Sequence, residues 1–76
     1  MSHTVEAELV ANVATVSVQA GDAVTATDTL VILESMKMEI PVLAEVSGVV
    51  AEMAVQPGDV VREGDVIAVI DEASTQ

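Results

Sequence analysis

The chain has 76 residues, with thirteen acidic residues against two basic ones and a formal net charge of −11. This charge repels phosphate backbones, and the sequence has no aromatic ring for base stacking, so nucleic acid is excluded as a partner. The lack of cysteine removes disulfides, thiol chemistry and thiolate metal ligands, and is compatible with a reducing cytosol. His3 is the only imidazole, so we expect no transition-metal site.

The hydropathy pattern is typical of a soluble protein. No apolar run reaches about 18 residues, and the N-terminus lacks the basic flank and apolar segment of a signal peptide. We therefore expect a cytoplasmic location and no membrane partner. The length fits one small domain over residues 1–76. The 16 valines and four isoleucines favour an all-β fold, because β-branched side chains fit pleated sheets.

Short apolar runs separated by Gly-Asp and Asp punctuation follow one another along the chain, which is typical of strands joined by tight turns. The polar segments 1–4 and 71–76 are predicted to be a frayed terminus, which includes His3, and a short tail. In the first half we predict an alternating segment over 6–9, a strand over 13–18, a short strand from Val24 and a buried strand over 30–33.

Four aspartates lie at the predicted turns and form two symmetric pairs. Such pairs can perform acid–base chemistry, but turn capping explains them better, because Asp side chains accept hydrogen bonds from nearby backbone N–H groups. Gly21 and Gly58 are interpreted as turn glycines and not as phosphate-binding loops, because no helix follows either of them. The aspartates are Asp22, Asp28, Asp59 and Asp65.

The second half of the chain repeats the first at a displacement of 37 residues. Ten of the 28 positions in the half-repeat 7–34 are identical to their counterparts in the half-repeat 44–71. A unit of this size cannot bury its own apolar face, so we expect the two to pair about a pseudo-twofold axis into one sandwich. The connector 35–43 then lies at one end of the domain, and both chain termini lie at the other.

The connector is preceded by a segment, 30–40, whose Leu, Met, Glu and Lys content is also that of a short helix. We predict strands instead, because the counterpart in the second half is strand-like and Pro41 follows. One strand over 30–43 exceeds the usual length, so the chain has to reverse near Met36 and Lys37 without Asn or Gly. Residues that break local turn rules often mark functional sites.

Lys37 is the only lysine, and it stands between Met36 and Met38. An amine on a flexible four-carbon stem can be acylated by another enzyme. The alternative interpretation is an ordinary exposed lysine between two core methionines. Nothing in the sequence supplies an activated acyl donor or a general base, so we expect Lys37 to be a substrate and assign no catalytic residue.

The sequence Glu34-Ser35-Met36-Lys37-Met38 resembles the biotinylation signature of biotin carboxyl carrier proteins and of the biotinyl domains of biotin-dependent carboxylases. The usual tetrapeptide of that family is Ala-Met-Lys-Met, and here Ser35 keeps a small residue in the first position. The resemblance covers nearly the whole chain, including both half-repeats. At this size the chain looks most like the free-standing biotinylated proteins of actinobacteria.

This resemblance implies a barrel-sandwich hybrid, which is a flattened sandwich of two four-stranded antiparallel sheets with a pseudo-twofold internal repeat. It implies that Lys37 protrudes on the hairpin 35–43 and receives biotin from biotin protein ligase. The tethered biotin then carries a carboxyl group between biotin carboxylase and carboxyltransferase of an acyl-CoA carboxylase-type system. The carrier itself is not an enzyme.

The neighbours of Lys37 allow two interpretations each. Met36 and Met38 are either ligase contacts and an apolar rest for the biotin ring, or side chains packed at the hairpin tip. We favour the functional role, because a tip has little core to pack against. Ser35 and Glu34 complete the signature, and Glu34 and Glu39 are either ligase contacts or solvated charges.

Three rival functions remain open at this point. A lipoyl domain is similar in fold and repeat, but it typically has Asp before its lysine and a small residue after it, so the flanking methionines favour biotin. The second rival is an interaction module that is never acylated. The third is a carrier that has lost its carboxylase partners, and the intact mass of native protein separates acylated from unmodified forms.

Overall fold

The structure, a computed structural model, describes residues 2–72 as eight β-strands joined by turns. No helix long and apolar enough to cross a membrane occurs among these residues. The all-β prediction is confirmed, and the helical alternative for the segment 30–40 is excluded. The strands are β1 (Ser2–Glu6), β2 (Ala11–Val16), β3 (Ala23–Val24), β4 (Thr29–Ser35), β5 (Met38–Leu43), β6 (Gly48–Met53), β7 (Val60–Val61) and β8 (Val66–Glu72).

The strands form two four-stranded sheets. The first has the order β1-β8-β6-β3 and the second has the order β5-β4-β2-β7. All pairs of neighbouring strands are antiparallel. The predicted sandwich of two four-stranded antiparallel sheets is therefore confirmed. Strands β1 and β5 occupy one edge of their respective sheets, and the two-residue strands β3 and β7 occupy the other.

The sequence repeat is visible in the strands, because β2, β3 and β4 recur 37 residues later as β6, β7 and β8. The turns of each half are bonded to a strand of the other. Val13 N–H donates to the Asp59 carbonyl at 2.7 Å, and the equivalent bond runs from Val50 N–H to the Asp22 carbonyl at 2.9 Å. Each half thus closes the turns of its partner, and neither half has all of its backbone bonds alone.

The core between the sheets consists only of aliphatic side chains among the described residues. Successive side chains of a strand point to opposite faces of the sheet, so every second one faces the core. In β2, for example, Ala11 and Val13 are buried and Asn12 is exposed. Burying one Leu, Ile or Val side chain adds about 1.5–3 kcal/mol to the free energy of unfolding. A domain of this size has a small core, so it depends on burying each of these side chains completely. The largest side chains that are fully buried are Leu30, Leu33, Ile67, Ile70, Val13, Val31, Val50 and Val61.

Each of the four turn aspartates binds the backbone three residues before it. In every case the carboxylate Oδ2 accepts a backbone N–H at 2.9 Å, and the aspartate N–H donates back to the carbonyl of the same residue at 2.9–3.0 Å. The turn-capping interpretation is confirmed. The glycines before two of them, Gly21 at φ 99° and Gly58 at φ 94°, have the positive φ that was expected of turn glycines.

The expectation of a frayed segment over 1–4 is wrong for residues 2–4. These residues belong to β1, which pairs with β8 from Ser2 opposite Asp71 onwards. His3 is therefore part of a sheet, and its Nε2 lies 3.4 Å from Oε1 of Glu45. The pairing partner supplies the backbone bonds that the polar local sequence does not predict.

Three other boundaries differ from the sequence-based prediction. The predicted tail 71–76 starts too early, because β8 extends to Glu72, while residue 1 and residues 73–76 lie outside the described residues. The alternating segment 6–9 is mostly a crossing between the sheets, since β1 ends at Glu6. The strand predicted over 13–18 lies two residues earlier as β2.

The two halves differ in geometry at one crossing between the sheets, where the second half has Gly64 and the first half has Thr27. In the second half Gly64 has a φ of 90°, whereas its counterpart Thr27 is not in the positive-φ region. Glu45, whose N–H donates to the Ala26 carbonyl at 2.9 Å, takes a φ of 71° instead. At the equivalent crossing the left-handed conformation is therefore adopted by a residue of the facing segment. Because that residue is not glycine, the conformation costs roughly 1–2 kcal/mol of stability.

We predict that Gly48→Ala destabilises the fold. A Cβ at Gly48 would collide with the Asp71 carbonyl oxygen and stand 2.9 Å from Cα of Glu72. Both obstacles are backbone atoms of β8, so the sheet has to shift, and overpacking of this kind costs about 1–3 kcal/mol. We expect the melting temperature to fall by at least about 5 °C. The control is Ser47→Ala at the exposed neighbouring position, and an equal effect of both changes would contradict the prediction.

A second prediction concerns the turn aspartates. Asp59→Ala removes the acceptor of the Gln56 N–H and should lower the free energy of unfolding by about 1 kcal/mol in urea titrations. Asp59→Asn keeps an oxygen acceptor in the same place, so it should recover most of that loss. Equal destabilisation by Ala and Asn would show that the negative charge, and not the hydrogen bond, stabilises the turn.

Candidate modification site

Lys37 lies in the two-residue turn between β4 and β5. Ser35 pairs with Met38 across this hairpin, so the reversal falls at Met36 and Lys37, as the length argument predicted. Met36 has a φ of 50° and Lys37 a φ of 67°, and positive φ at both central residues is the signature of a type I′ turn. Such turns normally use Asn and Gly, and each L-residue in this region costs roughly 1–2 kcal/mol. The strain persists because the paired strands determine the turn.

The side chains of this turn are held away from the protein. Met36 is 92% exposed and Met38 is 64% exposed, and Lys37 is exposed as well. Within residues 2–72, no hydrogen bond or ion pair restrains the Lys37 amine. The two methionines are therefore not core residues, and the alternative interpretation of this segment is wrong on that point. Two large apolar side chains in water lower solubility without stabilising the fold, which is typical of a contact surface.

The charges beside the turn are arranged unfavourably for stability. Glu34 and Glu39 are directly opposite each other across the hairpin, and both are exposed. Like charges in this position destabilise a strand pair. No basic side chain lies within 4 Å of either carboxylate in the described part of the chain, where the recorded ion pair is His3 with Glu45. The hairpin therefore presents two unneutralised carboxylates on either side of one cation.

The turn and the described N-terminal end lie at opposite ends of strand β5. That strand begins at Met38 beside the turn, and two residues after it ends, Glu45 contacts His3. The six residues of β5 span roughly 17 Å from the first Cα to the last. Attached groups at Lys37 therefore meet no obstruction from the chain that enters at Ser2.

A groove of about 530 Å³ runs between the edge strands β1 and β5. Its lining includes the apolar Val5, Leu9 and Ile40, and the exposed Glu8 and Glu63 at its margin, but it includes none of residues 34–39. The groove does not reach Lys37, and no group of three potential metal ligands occurs in residues 2–72. The turn can present an amine for reaction, but it cannot activate an acyl group.

The structure brings Glu34, Ser35, Met36, Lys37 and Met38 together on one hairpin, with Ser35 half-buried at its last paired position. Sequence reasoning did not identify the exposed valines of the neighbouring strands. Val10 and Val60 are each 62% exposed. The signal was available, because the counterparts of these valines in the repeat are Ser47 and Ala23.

Residues 2–70 match the sequence profile of a family described as "Biotin-requiring enzyme". A Mycobacterium leprae protein, "Biotinylated protein TB7.3 homolog", is 58% identical over 48 residues, which are 63% of this chain and 68% of that protein. Its Mycolicibacterium smegmatis namesake is 61% identical over 44 residues, or 58% of this chain and 62% of that protein. The Bacillus subtilis "Biotin/lipoyl attachment protein" is 47% identical over 45 residues, or 59% of this chain and 62% of that protein.

Solved structures with the same fold include carboxylases and a lipoyl domain. The Kluyveromyces lactis urea carboxylase superposes with a TM-score of 0.87 at 34% identity, covering 93% of this chain and 6% of that one. A single-chain, multi-domain long-chain acyl-CoA carboxylase gives 0.87 at 30% identity, covering 97% and 7%. The lipoyl domain of the 2-oxoglutarate dehydrogenase complex from Azotobacter vinelandii gives 0.75 at 28% identity, covering 92% and 99%.

These similarities confirm the family resemblance that was inferred from the sequence around Lys37. The profile match spans both half-repeats and the hairpin between them, and the neighbouring structures share the sandwich of two four-stranded sheets. The chain spans only a small fraction of the carboxylases that it resembles. This chain belongs to the biotin/lipoyl attachment family, described as "Biotin-requiring enzyme".

Proposed function

We propose that this protein is a biotin carboxyl carrier in which biotin is attached covalently to Lys37. The observation that carries the proposal is the geometry of the turn, which holds the only lysine of the chain at the apex of a strained, exposed hairpin. The amine fits the role of an acyl acceptor, because no described contact restrains it and the Lys37 side chain is exposed. The chain is a carrier and not a catalyst.

Attachment requires a second protein, the biotin protein ligase. The Lys37 nitrogen attacks the carboxyl carbon of biotinyl-adenylate, an amide bond forms, AMP leaves, and the nitrogen loses a proton. The ligase has to supply the base and the desolvated pocket. The exposure of the Met36 and Met38 side chains supports their role as contacts for the ligase. We assign Glu34 and Ser35 to the same contact with the ligase. They lie on the last two paired positions of β4, Glu34 opposite Glu39 and Ser35 opposite Met38.

Biotin is favoured over lipoate by the relatives. The mycobacterial relatives are called biotinylated proteins, and the superposition is better with the urea carboxylase, at 0.87, than with the lipoyl domain, at 0.75. The lipoyl-type sequence, with Asp before the lysine, is absent here, where Met36 precedes and Met38 follows Lys37.

The partners we propose for the biotinylated form are a biotin carboxylase and a carboxyltransferase of an acyl-CoA carboxylase-type system. When bound, biotin supplies a ring nitrogen that carries a carboxyl group from one active site to the other. The contribution of this chain is the tether, because a covalent arm on a short hairpin keeps the carried group at an effective concentration on the order of millimolar. The two carboxylase neighbours support this assignment.

The domain organisation that accompanies this function is one biotinyl domain over residues 1–76, with half-repeats 7–34 and 44–71 and the biotinyl hairpin 35–43. We place the protein in the cytoplasm, where ATP and bicarbonate are available to carboxylases. The recurrence of β2 to β4 as β6 to β8 supports this division of the chain.

The test is intact-mass measurement after incubation with biotin protein ligase, biotin and Mg-ATP. We expect the wild-type chain to gain one biotinyl group, mapped to Lys37 by peptide sequencing, and the Lys37→Arg variant to gain none. Arginine preserves the positive charge, but its guanidinium offers no amine lone pair. The exposed site should leave the free energy of unfolding within about 0.5 kcal/mol of wild type.

Two results would contradict the proposal. One is biotin on the Lys37→Arg variant with the N-terminal amine excluded by peptide mapping. The other is wild-type protein that stays unmodified with active ligase while a known biotinyl domain in the same tube is labelled. If protein isolated from its host carries a lipoyl group on Lys37, the chain is a lipoyl domain and the assignment of biotin is wrong.

The strain in the turn generates a further prediction. Met36→Asn should stabilise the fold by about 0.5–1 kcal/mol, because Asn tolerates the left-handed region better than methionine does. The same change removes an exposed apolar contact, so we expect slower biotinylation of Lys37. Urea unfolding and initial labelling rates measure the two effects separately. Loss of stability together with loss of labelling would mean that the methionine packs on the fold.

A further inference from the structure

The internal repeat allows the outer faces of the two sheets to be compared position by position. On the sheet that carries the hairpin, one cross-strand row ends in Asn12 of β2 and Val60 of β7. On the other sheet the equivalent positions are Val49 of β6 and Ala23 of β3. All four residues are exposed, so the core does not dictate which side chain stands at any of them.

Each face has exposed valines that the other lacks, because Val49 (45%) and Val66 (40%) stand on the other face where the hairpin sheet has Asn12 and Thr29, but the two most exposed valines lie on or beside the hairpin sheet. Val60 is 62% exposed where the counterpart is Ala23, and Val10, immediately before β2, is 62% exposed where the counterpart is Ser47. The small or polar counterparts Ser47 and Ala23 show that the fold does not require a valine at either of these two positions. Large apolar side chains left in water at these two positions point to a contact outside this chain.

The divergent valines lie beside the modification turn. Asn12 pairs with Glu34, which lies two residues before Met36 of the turn, and Val10 lies two residues before Asn12, at the same end of this strand pair. The row from β7 to β5 crosses four strands, or about 14 Å at about 4.8 Å between neighbours. Val10, Asn12 and Val60, which we name the valine face, are therefore continuous with the exposed methionines and the carboxylates of Glu34 and Glu39.

We propose that the valine face is a docking surface for the enzyme that acylates Lys37, and this rests on the proposed function above. The partner surface that fits is an apolar patch bordered by basic side chains. The valines and Met36 supply the apolar part, and the opposed Glu34 and Glu39 gain partners for charges that destabilise one another in the free protein.

The acylating enzyme fits this position better than a carboxylase does. Amide formation requires its active site to reach the Lys37 nitrogen itself, so its surface has to lie against the strands that flank the turn. A carboxylase or carboxyltransferase acts on the far end of the attached biotin, and the length of that arm separates its surface from the sheet. Loss of the valine face should therefore impair attachment of biotin and spare later use of it.

The experiment exchanges the valines for the residues of their own repeat. The Val10→Ser, Val60→Ala double variant and Val60→Ala alone are compared with Val49→Ala, an exposed valine of the opposite face. A bacterial biotin protein ligase with biotin and Mg-ATP is the probe, and kcat and KM for the protein substrate are measured. Melting temperatures show that each variant is folded. Carboxylation of fully biotinylated protein by a bacterial biotin carboxylase is measured in parallel.

We expect the double variant to raise KM for the ligase at least about tenfold with kcat within about twofold, and Val60→Ala to lie between it and wild type. The opposite-face control and the carboxylation rate should change by less than about twofold. Unchanged ligase kinetics, an equal effect of Val49→Ala, or a defect confined to carboxylation would overturn the proposal. Failure of wild-type protein to be biotinylated would instead refute the proposed function.

Discussion

The reciprocal backbone hydrogen bonds between the two halves are the constraint on which the structure depends. The carbonyls of Asp22 and Asp59 in the turns of one half accept bonds from Val50 and Val13 in strands of the other, while the aspartate carboxylates close the same turns locally. A core made only of aliphatic side chains has little directional preference of its own. These turn bonds therefore fix the register of the two sheets, and the aliphatic side chains then fill the space that the register defines.

The hairpin is the place where this stability is used for function. Left-handed residues at Met36 and Lys37, opposed carboxylates at Glu34 and Glu39, and two exposed methionines all lower the stability of the isolated hairpin. Strand β4 tolerates them because Leu30, Val31 and Leu33 are completely buried along the same strand. A rigid strand that ends in a strained turn fixes the backbone of Lys37, and this lowers the backbone entropy lost when an enzyme engages the turn, while the side chain itself stays unrestrained.

Much of the fold and the centre of the site could be predicted from the sequence, because the repeat reports on packing. A displacement of 37 residues assigned strands to both halves, and the length of the run between them required a reversal at Met36 and Lys37. Strand β1 was missed because its order comes from pairing with β8 and not from its own polar sequence. The positive φ of Glu45 and the exposure of Val10 and Val60 were also missed, since each depends on what faces the residue in three dimensions.

The pseudo-symmetry also gives the modification turn an unusual status within the fold. The position equivalent to Ser35 in the second half is Glu72, where the described chain leaves its sheet beside Ser2. If the two repeated units were separate chains paired in the same way, each would end at the position of Ser35 or Glu72. In this chain the two residues Met36 and Lys37 connect the end of β4 to the start of β5. Lys37 thus lies in the two-residue link between the two repeated units and not in a strand of either. Because the side chains of this link do not pack in the core, the fold places few constraints on which residues stand there. A repeat of this kind therefore leaves a position where a reactive side chain can be accommodated without loss of packing.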